Sequence, residues 1–258
     1  MEIFWRLILG HLLADYTLQT DFIADWKKRN VSGLFVHSVL HLAAYYFLTF
    51  PALPQVWVRI AGLELTGFVC ILLLFILHFI EDAWRVWAIN KNNYSDNTLF
   101  YIYDQLVHYA LLFLLSPRVQ GSNFGIVNYP AIDGILSLSQ NALLPNWKQF
   151  FAITLQETWV FGGILFVILT QFSTVTIYFL EKDFYQKKFP EQMEKYLAIG
   201  ERSVLFFCLL LPGKLGFIFG AIWIARALYY ARKKSCTSTW ISPAFGYTIA
   251  TLCAMALK

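Results

Sequence analysis

Charge is scarce in this sequence: Asp, Glu, Lys and Arg make up only 14% of its 258 residues. A soluble domain carries about a quarter, so a charged, water-facing shell over most of the surface is excluded. Cysteine is also scarce. Cys70, Cys208, Cys236 and Cys253 show no CxxC or other ligand spacing, so neither a zinc ribbon nor a disulfide framework is supported. Three of them lie in apolar stretches and read as packing thiols. No P-loop, nucleophile elbow or glycine-rich phosphate loop is present. Nor is there a repeat of fixed period or a low-complexity tract. The opening "MEIFWRLILG" carries Glu2 and aromatics with no small-residue cleavage site after it, so it does not read as a secretory signal. Histidine is missing from the last 150 residues: the last of the five is His108.

What is abundant is apolar surface. Hydrophobic residues are 58% of the chain, aromatics are 18%, and the mean hydropathy is +0.55. Those values point to an all-α polytopic transmembrane helix bundle. The net charge of +4 does not imply nucleic acid, because the basic residues fall in short clusters between apolar spans. Membrane lipids are the expected surroundings.

About 20 apolar residues cross the hydrocarbon. Spans are expected near 3–20, 33–53, 61–88, 98–116, 150–180 and 238–257. Residues 199–231 are apolar but interrupted by "LPGK" at 211–214, which predicts a kinked span or a re-entrant hairpin. Basic clusters at 27–29, 85–91, 182–188 and 232–234 all fall on the cytoplasmic side if that segment enters and leaves on one face. Both termini are then outside. The organisation expected is a four-helix half (1–116), an extramembrane loop (117–149) with a short interfacial helix at 131–144, and C-terminal membrane helices (150–258).

The histidines come with partners at one spacing: His11 with Asp15, His37 with His41, His78 with Asp82, and Asp104 with His108. Four residues of separation stacks two side chains on one helix face. At about 1.5 Å per residue all four pairs can fall at one depth, near one membrane face. Ionisable groups in hydrocarbon cost roughly 2.5–3.5 kcal/mol each on insertion scales, so they face a bundle interior and have a purpose.

A divalent metal wants this set of donors: neutral imidazoles and carboxylates, three as ligands with an open position for water. His11, His37, His41, His78 and His108 are the expected ligands. Asp15, Asp82 and Asp104 are expected as ligands, as carboxylates orienting the histidines, or as general base. Zinc is the first expectation; mixed His and Asp ligands also suit iron or manganese. Gln19 and Gln105 extend the stripes and are expected to bind substrate or to hydrogen-bond a ligand, and Arg85, one turn beyond Asp82, to hold an anionic group of the substrate or to snorkel to headgroups. Glu81 points about 100° from Asp82 and reads as a helix-end or headgroup contact. Lys27 and Lys28 read as topology charges, and "NKNNYSDN" at 90–97 as a tight turn or a lid. Two other uses compete for the same residues. A bis-histidine haem leaves the aspartates unexplained, and a proton- or ion-conducting path uses the cluster without a metal.

In order, "GHLLADYTLQTDF", "HSVLH", "HFIEDAWR" and "YDQLVHY" resemble the domain-of-unknown-function family 3307, bacterial multi-spanning membrane proteins. The resemblance covers roughly residues 1–116, with a weaker echo in "IGERSVLFF" and "IWIARALYYA" at 199–231. It implies a functional role for His11, Asp15, Gln19, His37, His41, His78, Asp82, Asp104, Gln105 and His108. The chain departs from the family pattern at Arg85 and Arg226, where lysine is expected. The charge is kept but its geometry changes. The resemblance implies a bacterial inner-membrane setting and supplies no activity. The residues themselves favour an intramembrane metal-dependent hydrolase of a lipid or amphiphile. The alternatives are an accessory subunit of a larger membrane complex, its polar cluster bracing four helices, and a proton-coupled transporter.

Overall fold

The fold is all-α, as the hydropathy requires, with one small hairpin inserted. The computed structural model describes residues 2–60, 62–92, 94–117, 158–190, 192–211 and 241–256, with scattered positions between 216 and 225. The expected loop at 117–149 with its interfacial helix, the "LPGK" interruption past Leu211, Arg226 and Cys236 lie outside the described residues.

Helix α1 (Glu2–Leu12) runs on into a π turn (Leu13–Leu18). A short amphipathic helix follows, α2 (Asp21–Arg29), with Asp21 in its first turn and Lys27, Lys28 and Arg29 in its last. That distribution complements the helix dipole. Asn30 then caps α3 (Val31–Thr49), its side chain accepting from Ser32 N at 2.9 Å. Helices α4 (Gly67–Asn92) and α5 (Thr98–Leu115) complete the N-terminal part. Then come α6 (Thr158–Val167), a second π turn (Ile168–Phe172), α7 (Ser173–Tyr185), α8 (Gln192–Leu210) and α9 (Ile241–Ala256).

Among the described residues, four helical stretches are long and apolar enough to cross a membrane: Val31–Ala52, Gly67–Asn92, Thr98–Leu115 and Trp159–Tyr185. Their exposed faces are apolar, with Phe35, Phe47, Leu72, Ile80, Leu106, Phe113 and Phe166 all more than half exposed. Buried on them are His37, Ser38, His41, His78, Asp82, Asp104, His108 and Ser173. That inversion is what a hydrocarbon solvent demands, and the chain is a membrane protein. Among the described residues, the expected first and last spans are shorter than a crossing by this measure, α9 having 16 residues.

The expected span 61–88 starts too early. Residues Leu63–Thr66 form strand β2, paired antiparallel with β1 (Val56–Ile60), and the helix begins at Gly67. The turn uses Gly62 at φ 84°, in the left-handed region. The hairpin anchors through Trp57, which is buried and donates Nε1–H to Ala52 O at 2.9 Å. Gly67 gives Trp57 its room: a Cβ there would lie 2.6 Å from Trp57 Cε2 and 2.7 Å from Leu53 Cα. Gly67→Ala is therefore expected to cost about 1–3 kcal/mol by overpacking. Thermal unfolding in detergent checks this; an unchanged midpoint would show that Trp57 can move aside.

The described helices distribute over two compact units. The first comprises 1–14, 21–83 and 108–164; the second comprises 15–20, 84–107 and 165–258. The first has a core of Ile3, Leu7, Tyr45, Leu53, Trp57, Cys70, Ile71, Leu74 and Leu112. The second has Leu169, Leu205, Phe206, Tyr247, Ala250 and Cys253. Cys70, Cys208 and Cys253 are free thiols, in line with packing roles.

Candidate metal centre

All five histidines belong to the first unit. His11 sits in the last turn of α1, His37 and His41 one turn apart on α3, His78 on α4 and His108 on α5. Each is at most 3% exposed. Four helices thus deliver five imidazoles to one place. Ring centroids are 3.8 Å apart for His41 and His78, 4.3 Å for His78 and His108, and 4.8 Å for His37 and His41. His11 closes the group at 5.1 Å from both His41 and His108.

Acidic groups enter the cluster from α4. Asp82 Oδ2 is 3.3 Å from His37 Nε2 and 3.7 Å from His78 Nε2, and Asp82 Oδ1 is 3.6 Å from His108 Nε2. Glu81 Oε2 stands 2.9 Å from His108 Nε2. The imidazoles also face each other nitrogen to nitrogen. His78 Nε2 is 3.4 Å from His37 Nε2, and His78 Nδ1 is 3.2 Å from His108 Nδ1. His78, Asp82 and His108 each offer a ligand atom, all within 4.8 Å of one another. The same holds for His37, His41 and His78, and for Glu81, Asp82 and His108.

These distances can be compared with a metal's needs. Metal–nitrogen and metal–oxygen bonds of about 2.0–2.2 Å in a tetrahedron place ligand atoms roughly 3.3–3.5 Å apart. The triangle of His37 Nε2, His78 Nε2 and Asp82 Oδ2 has edges of 3.4, 3.3 and 3.7 Å. The residues therefore fit a transition-metal ion in both donor chemistry and spacing.

The expected substrate residues Gln19, Arg85 and Gln105, and the aspartates Asp15 and Asp104, belong to the second unit. Gln105 Nε2 donates to Asp15 Oδ2 at 3.2 Å and to Asp104 Oδ2 at 3.1 Å. Arg85 bridges Asp104 (3.0 Å) and Asp96 (3.1 Å), with its guanidinium over the Phe100 ring. Lys182 Nζ donates to Asp96 O at 2.5 Å. Arg85 is thus engaged by protein carboxylates. Gln19 Oε1 is buried with no hydrogen-bond partner among the described residues. Of the four spaced pairs, His37–His41 and His78–Asp82 are realised within one unit. Asp15 and Asp104 lie in a different unit from His11 and His108, and the π turn at Leu13–Leu18 alters the regular four-residue stacking around Asp15.

Three polar residues have roles that helical spacing did not suggest. Glu81 reaches His108 because a glutamate stem spans the angular offset from Asp82. Lys27 is no bare topology charge: its Nζ is 3.1 Å from His37 Nε2 and 3.2 Å from Asp82 Oδ2. The amphipathic "DFIADWKKR" could have flagged a helix that carries Lys27 back to the bundle. Arg202, 2% exposed, serves the second π turn. Its Nε donates to Leu169 O (2.9 Å) and its Nη2 to Thr170 O (3.0 Å) and Thr174 Oγ1 (2.6 Å).

Comparison with known proteins agrees with the motifs. The family described as "Protein of unknown function (DUF3307)" matches residues 3–131, half of the chain, and the chain belongs to it. No curated protein and no solved structure matches.

Proposed function

We propose that this DUF3307-family chain is a membrane-embedded, metal-dependent hydrolase whose substrate is a lipid or another amphiphile. The observation that carries the reading is the convergence of five buried imidazoles with Asp82 and Glu81 inside one unit of an apolar chain. Packing alone is a poor reason to bury so many ionisable groups, each costly in hydrocarbon.

In this reading His37, His78 and Asp82 are the first ligands, with His41, His108 and His11 completing or supporting the set. A bound divalent ion, zinc before iron or manganese, would lower the pKa of a water held at its open position. Glu81 is placed beside His108, where a carboxylate can orient an imidazole or accept a proton. An apolar exterior admits a substrate from the bilayer.

One feature favours a second reading, proton conduction. Lys27, His37, His78, His108 and Glu81 form an unbroken series of nitrogen and oxygen contacts of 2.9–3.4 Å. The two readings separate in one experiment. The protein, reconstituted in vesicles of bacterial lipid extract with added zinc, is expected to release hydrolysis products detectable by mass spectrometry. His78→Ala is expected to release none. Equal product from both proteins, or none from either with zinc bound, would overturn the hydrolase reading. Metal-independent proton flux abolished by His78→Ala would establish the relay.

A further inference from the structure

The ammonium of Lys27 lies where the acceptor atoms of the proposed centre converge. An ammonium has only donors, so His37 Nε2, 3.1 Å away, presents its lone pair to Lys27. That is the lone pair a metal would take. Asp82 Oδ2, 3.2 Å from the same Nζ, is likewise a proposed ligand atom. Lys27 therefore touches two corners of the His37–His78–Asp82 triangle. The side chains are well withdrawn from solvent, at 15% exposure for Lys27 and 4% for Asp82. It arrives from the last turn of α2, a helix with no buried residue. Close backbone approach holds that helix against α3: a Cβ on Gly33 would lie 2.6 Å from the Trp26 carbonyl carbon.

The triangle gathers a buried carboxylate and imidazole nitrogens, and the Lys27 ammonium supplies one tethered positive charge in contact with two of its three atoms. Two positive charges cannot share the spot, because like charges at such separation repel strongly in a partly desolvated site.

We infer that Lys27 is a built-in cation that competes with the metal for His37 and Asp82, so that metal binding displaces its ammonium. This rests on the metal reading above. Lys27 is then a positioning residue: it keeps the acceptor atoms gathered before loading and weakens the affinity of the loaded centre.

The test is zinc affinity of the full chain in detergent, measured by competition with a chromophoric chelator. Lys27→Met, which removes the charge and keeps the length of the stem, is expected to bind zinc at least about tenfold more tightly than wild type. Lys27→Arg, which keeps the charge, is expected to show no such gain. A purely structural lysine gives the opposite result, weaker binding on removal. Should Lys27→Met fail to fold, the wild-type chain supplies the answer through amine acylation read by mass spectrometry. Zinc is expected to raise the labelling of Lys27 severalfold relative to Lys28. Zinc binding with unchanged or weaker affinity in Lys27→Met, or with no rise in Lys27 labelling, overturns the inference and leaves the metal reading standing. No zinc bound by either wild type or Lys27→Met overturns both.

Discussion

Asp82→Asn is expected to abolish metal binding and to lower the stability of the first unit by about 3 kcal/mol, the lower end for breaking a buried ion pair. The carboxylate is 3% exposed, and it is the anionic group that Lys27, His37 and His78 share, with a further oxygen near His108. Asparagine keeps the shape and one acceptor but not the charge, so the Lys27 ammonium is left partly buried without the Asp82 counter-charge. The loss stays at the low end because Lys27, at 15% side-chain exposure, is near enough to the surface to be partly rehydrated.

A double variant separates charge from packing. Adding Lys27→Met to Asp82→Asn removes both members of the pair and is expected to recover most of the lost stability, with no recovery of metal. Thermal unfolding and metal analysis on the three proteins check this. Full stability and full metal content in Asp82→Asn would remove Asp82 from the centre.

Arg202→Met is expected to destabilise the second unit by about 2–4 kcal/mol, for a reason independent of any metal. A π turn inserts a residue into a helix and disturbs the carbonyl-to-amide ladder. Leu169 and Thr170 lie in such a turn, and Arg202 donates to both of their carbonyl oxygens and to Thr174 Oγ1. Methionine fills similar volume and offers no donor, so buried carbonyls lose charge-assisted partners. Part of the cost is offset, because burying the guanidinium was itself unfavourable. Hydrogen exchange localises the effect. Faster exchange is expected across Ile168–Phe172, with the histidine-bearing helices unchanged. A variant as stable as wild type, with the same exchange in this turn, would show that the turn does not depend on Arg202.

The helical bundle and the histidine cluster were legible because their signals are local. An apolar run declares a membrane helix, and a four-residue polar spacing declares a face; His37–His41 and His78–Asp82 follow that rule directly. Three things were not legible. The β hairpin hid because "VWVRI" and "LELT" are apolar enough to merge with the adjacent helix, while long-range contacts such as the close packing of Trp57 on Gly67 and the Gly67 N–H bond to Gln55 O mark the boundary. The π turns at Leu13–Leu18 and Ile168–Phe172 carry no Pro or Gly, so nothing in the local chemistry marks them. Lys27 and Glu81 joined the cluster through long, flexible stems, and backbone periodicity says little about where such a stem ends. Asp15 and Asp104 stand one helical turn in sequence from His11 and His108, and each also accepts from Gln105, Asp104 from Arg85 as well.

Metal content measures the central claim most directly. Chain purified without a metal-affinity tag, equilibrated with zinc, iron or manganese and desalted, is expected to retain about one divalent ion per molecule. His78→Ala, at the middle of the imidazole cluster, is expected to retain almost none while staying monodisperse. A wild-type chain that retains none of the three metals would contradict the account.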